Sequence, residues 1–141
     1  MTVKQLSVFI ENKSGRLNEI LDVIGSSNIR ILAATLADTS EYGILRLITS
    51  DNEKAFAQLK ENRVSVNRSE VLVLSSSGEA GDFSRQLSYF ASAGISVEYM
   101  YCFSCVNKAF MIVRLNNYDL AKAVVAQNNL RIISEAELTE L

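Results

Sequence analysis

Polar and apolar positions first alternate and then change period along the opening of the chain. VKQLSVFIE, residues 3 to 11, alternates as an extended strand does. GRLNEILDVIGSS follows with Leu17, Ile20, Leu21 and Ile24 spaced to share one face of a helix. Ser14 stands where an N-cap is expected. NIRILAATLA and YGILRLIT read as two further strands joined by the polar turn DTSE. DNEKAFAQLKEN predicts a second helix with Asp51 or Ser50 as its cap, and RVSVNRSEVLVLSSS returns to strand.

The same order then recurs. Residues 81 to 93 predict a helix with Phe83, Leu87 and Phe90 inward. The strands ISVEYMYCF and KAFMIVRL, the helix YDLAKAVVAQNN and the strand LRIIS complete the second copy. An ungapped register with an offset of 66 residues sets Leu6 on Leu72, Gly15 on Gly81, Ile29 on Ile95 and Asn62 on Asn128. The predicted fold class is therefore α+β, two ferredoxin-like βαββαβ modules of antiparallel sheet backed by helices. The expected division is residues 1 to 68 and 69 to 141, with no flexible linker. One such unit buries little core for its size, so the two are expected to join side by side.

Composition narrows the chemistry. Of the 141 residues 48% are apolar and 21% charged, which is a folding chain and not a disordered one. A net charge of −2 and a pI near 5.2 supply no footprint for nucleic acid or an anionic membrane. Neither a signal peptide nor an apolar run of bilayer length is evident, so a cytoplasmic location is expected. Histidine is absent, which removes His-assisted nucleophiles, His bases and His metal ligands. No constellation of acid, base and nucleophile appears; no enzyme activity and no cofactor are expected.

Two glycine turns lie between a strand and a helix, ENKSGRL at 11 to 17 and SGEAGDF at 77 to 83. A helix start presents unpaired N–H groups and partial positive charge, which suits a carboxylate. Glycine there is equally consistent with a plain chain reversal. Asn12 adds an amide that can accept from an amino group, and Arg30, if directed at the site, could hold a carboxylate. The second turn has Gly78 where the first has Asn12.

The stretches FIENKSGRLNEIL and SNIRI, together with EVLVLSSSGEAGDFSRQLSYFASAGISVEYMY, resemble the ACT domain, a small-molecule sensing module of amino-acid metabolism. The resemblance covers essentially the whole chain, and its weight rests on the order and duplication of short motifs. It implies a free amino acid bound where the first glycine loop of one module meets the second strand of its neighbour. The loop residues it implies are Asn12, Ser14 (where proline is usual), Gly15, Arg16 and Leu17, the last two through their amides. The strand residues are Asn28, Ile29 and Arg30, with Arg30 where asparagine is frequent. In the second copy the positions are Gly81, Phe83, Ile95 and Ser96. The missing side chain at Gly78 makes the first loop the better candidate. A homodimer and a partner metabolic enzyme or regulator are implied as well.

Other motifs carry less. Cys102 and Cys105 spell C-x-x-C, but in a strand that spacing sends the two thiols to opposite faces, and no second pair completes a metal site. Tyr99, Tyr101 and Phe103 share a strand face, yet YGILRLI and NKAFMIVRL lack the signature of RNA-recognition strands. SSSGEAGD lacks the lysine and hydroxyl residue of a phosphate loop. EAELTEL at 135 to 141 reads as a solvated tail. The expected function is a non-enzymatic amino-acid sensor, the alternative a ligand-free assembly module acting through its sheet edges.

Overall fold

The computed structural model describes residues 1–38, 41–105 and 107–141. The turn expected at DTSE lies partly outside these, at Thr39 and Ser40. The chain divides into two compact units, Lys4–Ser69 and Glu70–Leu141, the second of which includes Met1–Val3.

In the first unit, β1 (Val3–Glu11), α1 (Arg16–Ser26), β2 (Ile31–Asp38), β3 (Tyr42–Thr49) and α2 (Asn52–Glu61) follow the predicted order. The last strand, β4 (Val66–Ser76), gives residues to both units. β3 lies between β1 and β2 and is antiparallel to each, with Leu6 opposite Leu47 and Leu36 opposite Leu45. Strand alternation puts Leu6, Val8, Ile10, Leu45 and Leu47 on the face that meets Ile20 and Ile24 of α1 and Ala55 and Leu59 of α2. Burying each large aliphatic side chain contributes on the order of 1.5–3 kcal/mol. Asp51 caps α2 through Lys54 N–H, 3.0 Å away. Ser14 does not cap α1. The N-cap is Gly15, in the left-handed region at φ 82°, and no side chain bonds to the helix start. Glycine takes this conformation without the Cβ penalty that serine would incur.

The second unit repeats the scheme with the end of β4, α3 (Asp82–Ser92), β5 (Val97–Cys105), β6 (Lys108–Leu115) and α4 (Tyr118–Gln127). β6 lies between β4 and β5, antiparallel to both. Leu72, Leu74, Met111 and Val113 meet Phe90 of α3 and Ala121 and Val124 of α4. Val71 and Val73 are fully buried as well, which is why VLVL runs apolar without alternation.

Two expectations fail at the end of the chain. LRIIS forms only a single bridge, Ile132 opposite Leu74, flanked by bonds from Ser75 N–H to Arg131 O and from Ile133 N–H to Val73 O. The tail is not simply solvated. Ser134 accepts from Glu137 N–H at 3.2 Å and so starts a short helix, α5 (Glu135–Thr139). That cap stops the strand, and α5 buries Leu138 to 1% exposure.

Candidate functional site

The first loop folds on its own backbone. Asn12 N–H donates to Glu41 O, Lys13 N–H to Glu11 O, and Arg16 N–H to Lys13 O at 3.1 Å. Arg16 therefore spends its amide inside the turn, while its guanidinium reaches Glu19 at 2.9 Å. The N–H groups of Leu17 and Asn18 have no partner among the described residues, because Gly15 brings no capping side chain. Asn12 and Ser14 are exposed. A small cavity of about 100 Å³ opens beside the loop, lined by Ile10, Asn12, Leu17, Leu36, Asp38 and Gly43 among others.

The predicted strand residues lie elsewhere within the unit. β2 runs from Ile31, opposite Thr49, to Asp38, opposite Gly43, so its far end and not its start sits by the loop. Seven residues of strand rise separate the two ends by about 20 Å. Asn28 takes a left-handed turn at φ 58°, Ile29 is buried, and Arg30 N–H donates to Ser50 Oγ at 2.9 Å.

The second loop uses the same glycine geometry, with Gly81 at φ 84°, but closes itself with side chains. The Asp82 carboxylate accepts from Ser76 Oγ at 2.6 Å, Ser77 N–H at 3.2 Å and Gln86 Nε2 at 3.0 Å. Its other oxygen takes the Arg85 guanidinium at 2.7 Å. Gly78 N–H donates to Ser76 Oγ and Glu79 N–H to Ser77 Oγ. The Ser76 hydroxyl first, then the Arg85 guanidinium, hold the Asp82 carboxyl well below the usual range. The carboxylate ties the loop to the helix side chains but accepts from none of the helix-start amides, and those of Phe83 and Ser84 have no partner among the described residues. Of the other predicted residues here, Phe83 packs against the core, Ile95 is buried in it, and Ser96 N–H donates to Asn116 Oδ1 at 2.9 Å.

The buried Ser76–Asp82–Gln86 network is not foreseen from the motifs. Its signal lies in the repeat register, which aligns Ser76 with Ile10 and Gln86 with Ile20: polar residues at positions that are inward in the first copy. Beside it is a larger cavity of about 630 Å³, lined by Ser76, Asp82, Gln86, Lys108, Asn129 and Arg131 among others.

The remaining motifs stay structural. Cys102 is exposed and Cys105 half-buried, on opposite faces of β5, and burial pushes the Cys102 thiol up. Among the described residues no group of acids and cysteines is arranged to hold a metal. Phe103 stacks on Phe110 at 5.0 Å, and Tyr101 pairs across the strands with Ile112. Among the described residues no helix is long and apolar enough to cross a membrane.

Known structures share this architecture. Protein BT0572 from Bacteroides thetaiotaomicron is 36% identical, with a TM-score of 0.95 over 100% of this chain and 98% of that one. The ligand-free regulatory subunit of aspartate kinase from Thermus thermophilus is 12% identical, with a TM-score of 0.62 over 87% and 88% of the two chains. A structure of the aspartokinase alpha and beta subunits is 16% identical, with a TM-score of 0.58 over 88% and 90%. At those lower identities the likeness is one of fold. No curated protein sequence matches the chain. The family model for the ACT domain pair matches residues 1–141. With two βαββαβ units and two glycine-capped helix starts in place, the chain belongs to the ACT domain-pair family.

Proposed function

We propose that this chain is a non-enzymatic regulatory protein that binds a free amino acid through the loop Asn12–Leu17 and reports it to a partner enzyme or regulator. Membership in the ACT domain-pair family supports the regulatory role. One observation carries the choice of loop: its helix starts beside a cavity with the cation Arg16 at the first position, whereas the second helix starts with the carboxylate Asp82, whose charge opposes a ligand carboxylate. The ligand carboxylate meets the Leu17 and Asn18 amides, and Asn12 accepts from the ammonium. The segment Asn28–Arg30 reaches the ligand from a second copy of the chain in a cytoplasmic homodimer, since within one unit it lies at the wrong end of β2. Binding favours one arrangement of the dimer through its differential affinity.

A thermal-shift screen of the common amino acids tests this, because a ligand specific to the folded state at 100-fold its Kd adds about 2.7 kcal/mol. The active amino acid should move the backbone amide resonances of Gly15 and Leu17, and Asn12→Ala should weaken that response at least about tenfold, or 1.4 kcal/mol, with the fold intact. A flat screen would instead favour the assembly module. For that reading the favouring observation is the edge strand β2, where Ile31 is 39% and Leu36 47% exposed.

A further inference from the structure

β3 carries Leu45 and Leu47 on the face that meets the helices, and the next position on that face is Gly43. Its cross-strand neighbours are Ile10 on β1 and Asp38 on β2. The missing side chain leaves a hollow in the sheet, at the floor of the cavity of about 100 Å³ beside the first loop. Leu36, two residues before Asp38 on the same face of β2, leans over it. A Cβ built at Gly43 would stand 3.2 Å from Leu36 Cδ1, tighter than side chains ordinarily pack, and 3.4 Å from the Ala37 carbonyl oxygen. The hollow exists because residue 43 is glycine.

Its walls are hydrocarbon. Ile10 is buried in the core and Leu17 packs against it, whereas Leu36 stays 47% exposed. The charged side chains at the cavity, Glu11, Lys13 and Asp38, are exposed at its rim, where water screens them and leaves a contact with any of them worth little. Size narrows the occupant further. A cavity of about 150 Å³ takes a benzene ring, and a group the size of water fills roughly 30 Å³. The hollow thus has room for about three or four carbons and not for an aromatic ring. The second unit closes the same place. The repeat register puts Ala109 on Gly43, Ser76 on Ile10 and Cys102 on Leu36, so a Cβ stands on the floor and the walls turn polar.

We propose that the amino acid bound at the first loop is aliphatic, with three or four side-chain carbons seated over Gly43 against Leu36. This rests on the first-loop reading and names the class of its ligand. The carboxylate stays at the helix start, and the side chain takes the exposed surface of Leu36 out of water. A side-chain hydroxyl in the same place would lie against hydrocarbon and lose its hydrogen bonds to water.

Calorimetric titration of the full chain with alanine, valine, leucine, isoleucine, threonine, lysine and phenylalanine tests this. At least one of valine, leucine and isoleucine should bind about tenfold or more tightly than each of the other four. Gly43→Ala raises the floor and should weaken that best ligand at least about tenfold, while alanine, which reaches little beyond the loop, should change by less than about twofold. Leu36→Ser removes a wall and should give the same pattern; its side chain is exposed, so it decides alone if Gly43→Ala does not fold. Tightest binding by threonine, lysine or phenylalanine overturns the aliphatic assignment, as does an unchanged affinity for the best ligand in Leu36→Ser. Either result leaves the first loop standing as a site, provided the ligand moves the Gly15 and Leu17 amides. If no amino acid moves them, the first-loop reading fails and the assignment fails with it.

Discussion

The two glycine loops share one backbone device and differ in the side chains that surround it. Gly15 and Gly81 both stand in the left-handed region, at φ 82° and 84°, and both leave a helix start without a capping side chain of their own. In the second loop Ser76, Ser77 and Asp82 fold inward and satisfy the loop amides of Ser77, Gly78 and Glu79, while the Phe83 and Ser84 amides at the helix start find no partner among the described residues. In the first the matching residues are Ile10, Glu11 and Arg16; Arg16 turns outward to Glu19 and leaves the Leu17 and Asn18 amides open. A repeated fold fixes where a helix start lies. Side chains a few positions away decide whether a carboxylate of the chain's own stands beside it.

The largest break in that comparison should come from Asp82→Ala, which strips the carboxylate from four donors. It should cost about 2–3 kcal/mol in urea unfolding, since bonds to charged groups are worth about 1.5–3 kcal/mol. The positional equivalent, Arg16→Ala, should stay within about 0.5 kcal/mol, because its ion pair is solvent-facing. Equal costs would mean that the internal network does not distinguish the loops.

Acid should sharpen the same contrast. The folded Asp82 carboxyl is held below its ordinary value by Ser76 and then Arg85, so its contribution is fully present above the unfolded value near pH 3.9 and is lost as pH falls through the lower folded value. Melting curves should therefore decline more steeply from about pH 4 downward in the wild type than in Asp82→Asn. Glu53, lowered chiefly by its bond to Arg68, titrates in both proteins and cancels in the difference.

The smallest difference between the loops should come from a symmetric pair of substitutions. Nothing lies within 4 Å of a Cβ built at either Gly15 or Gly81, so Gly→Ala at each meets only the left-handed backbone penalty, about 1–2 kcal/mol. Matched losses of melting temperature would show that the loops share their backbone and differ only in side chains. A much larger loss at one of them would break the comparison.

Much of this was legible in the chain. Alternation in VKQLSVFIE and helical spacing in GRLNEILDVIGSS mark elements whose apolar faces have one way to be buried, and the duplication gives the second unit by analogy. Short-range chemistry near the end read less well. LRIIS has strand composition, but Ser134 and Glu137 start a helix directly after it, and Leu138 has core to bury against. Periodicity cannot register a five-residue helix.

The sequence by itself determined the order of elements, the duplication and the two glycine positions, because these follow from local periodicity and backbone preference. It did not determine which loop is satisfied from within. That depends on Ser76, Asp82 and Gln86 converging from a strand end, a helix start and the helix's second turn, and hydrogen bonds of about 3 Å form only once packing brings those elements together. The unpaired oxygen of Gln86 is likewise a tertiary fact: a glutamine in a sequence names a donor and an acceptor, and only the fold decides which of them is left without a partner.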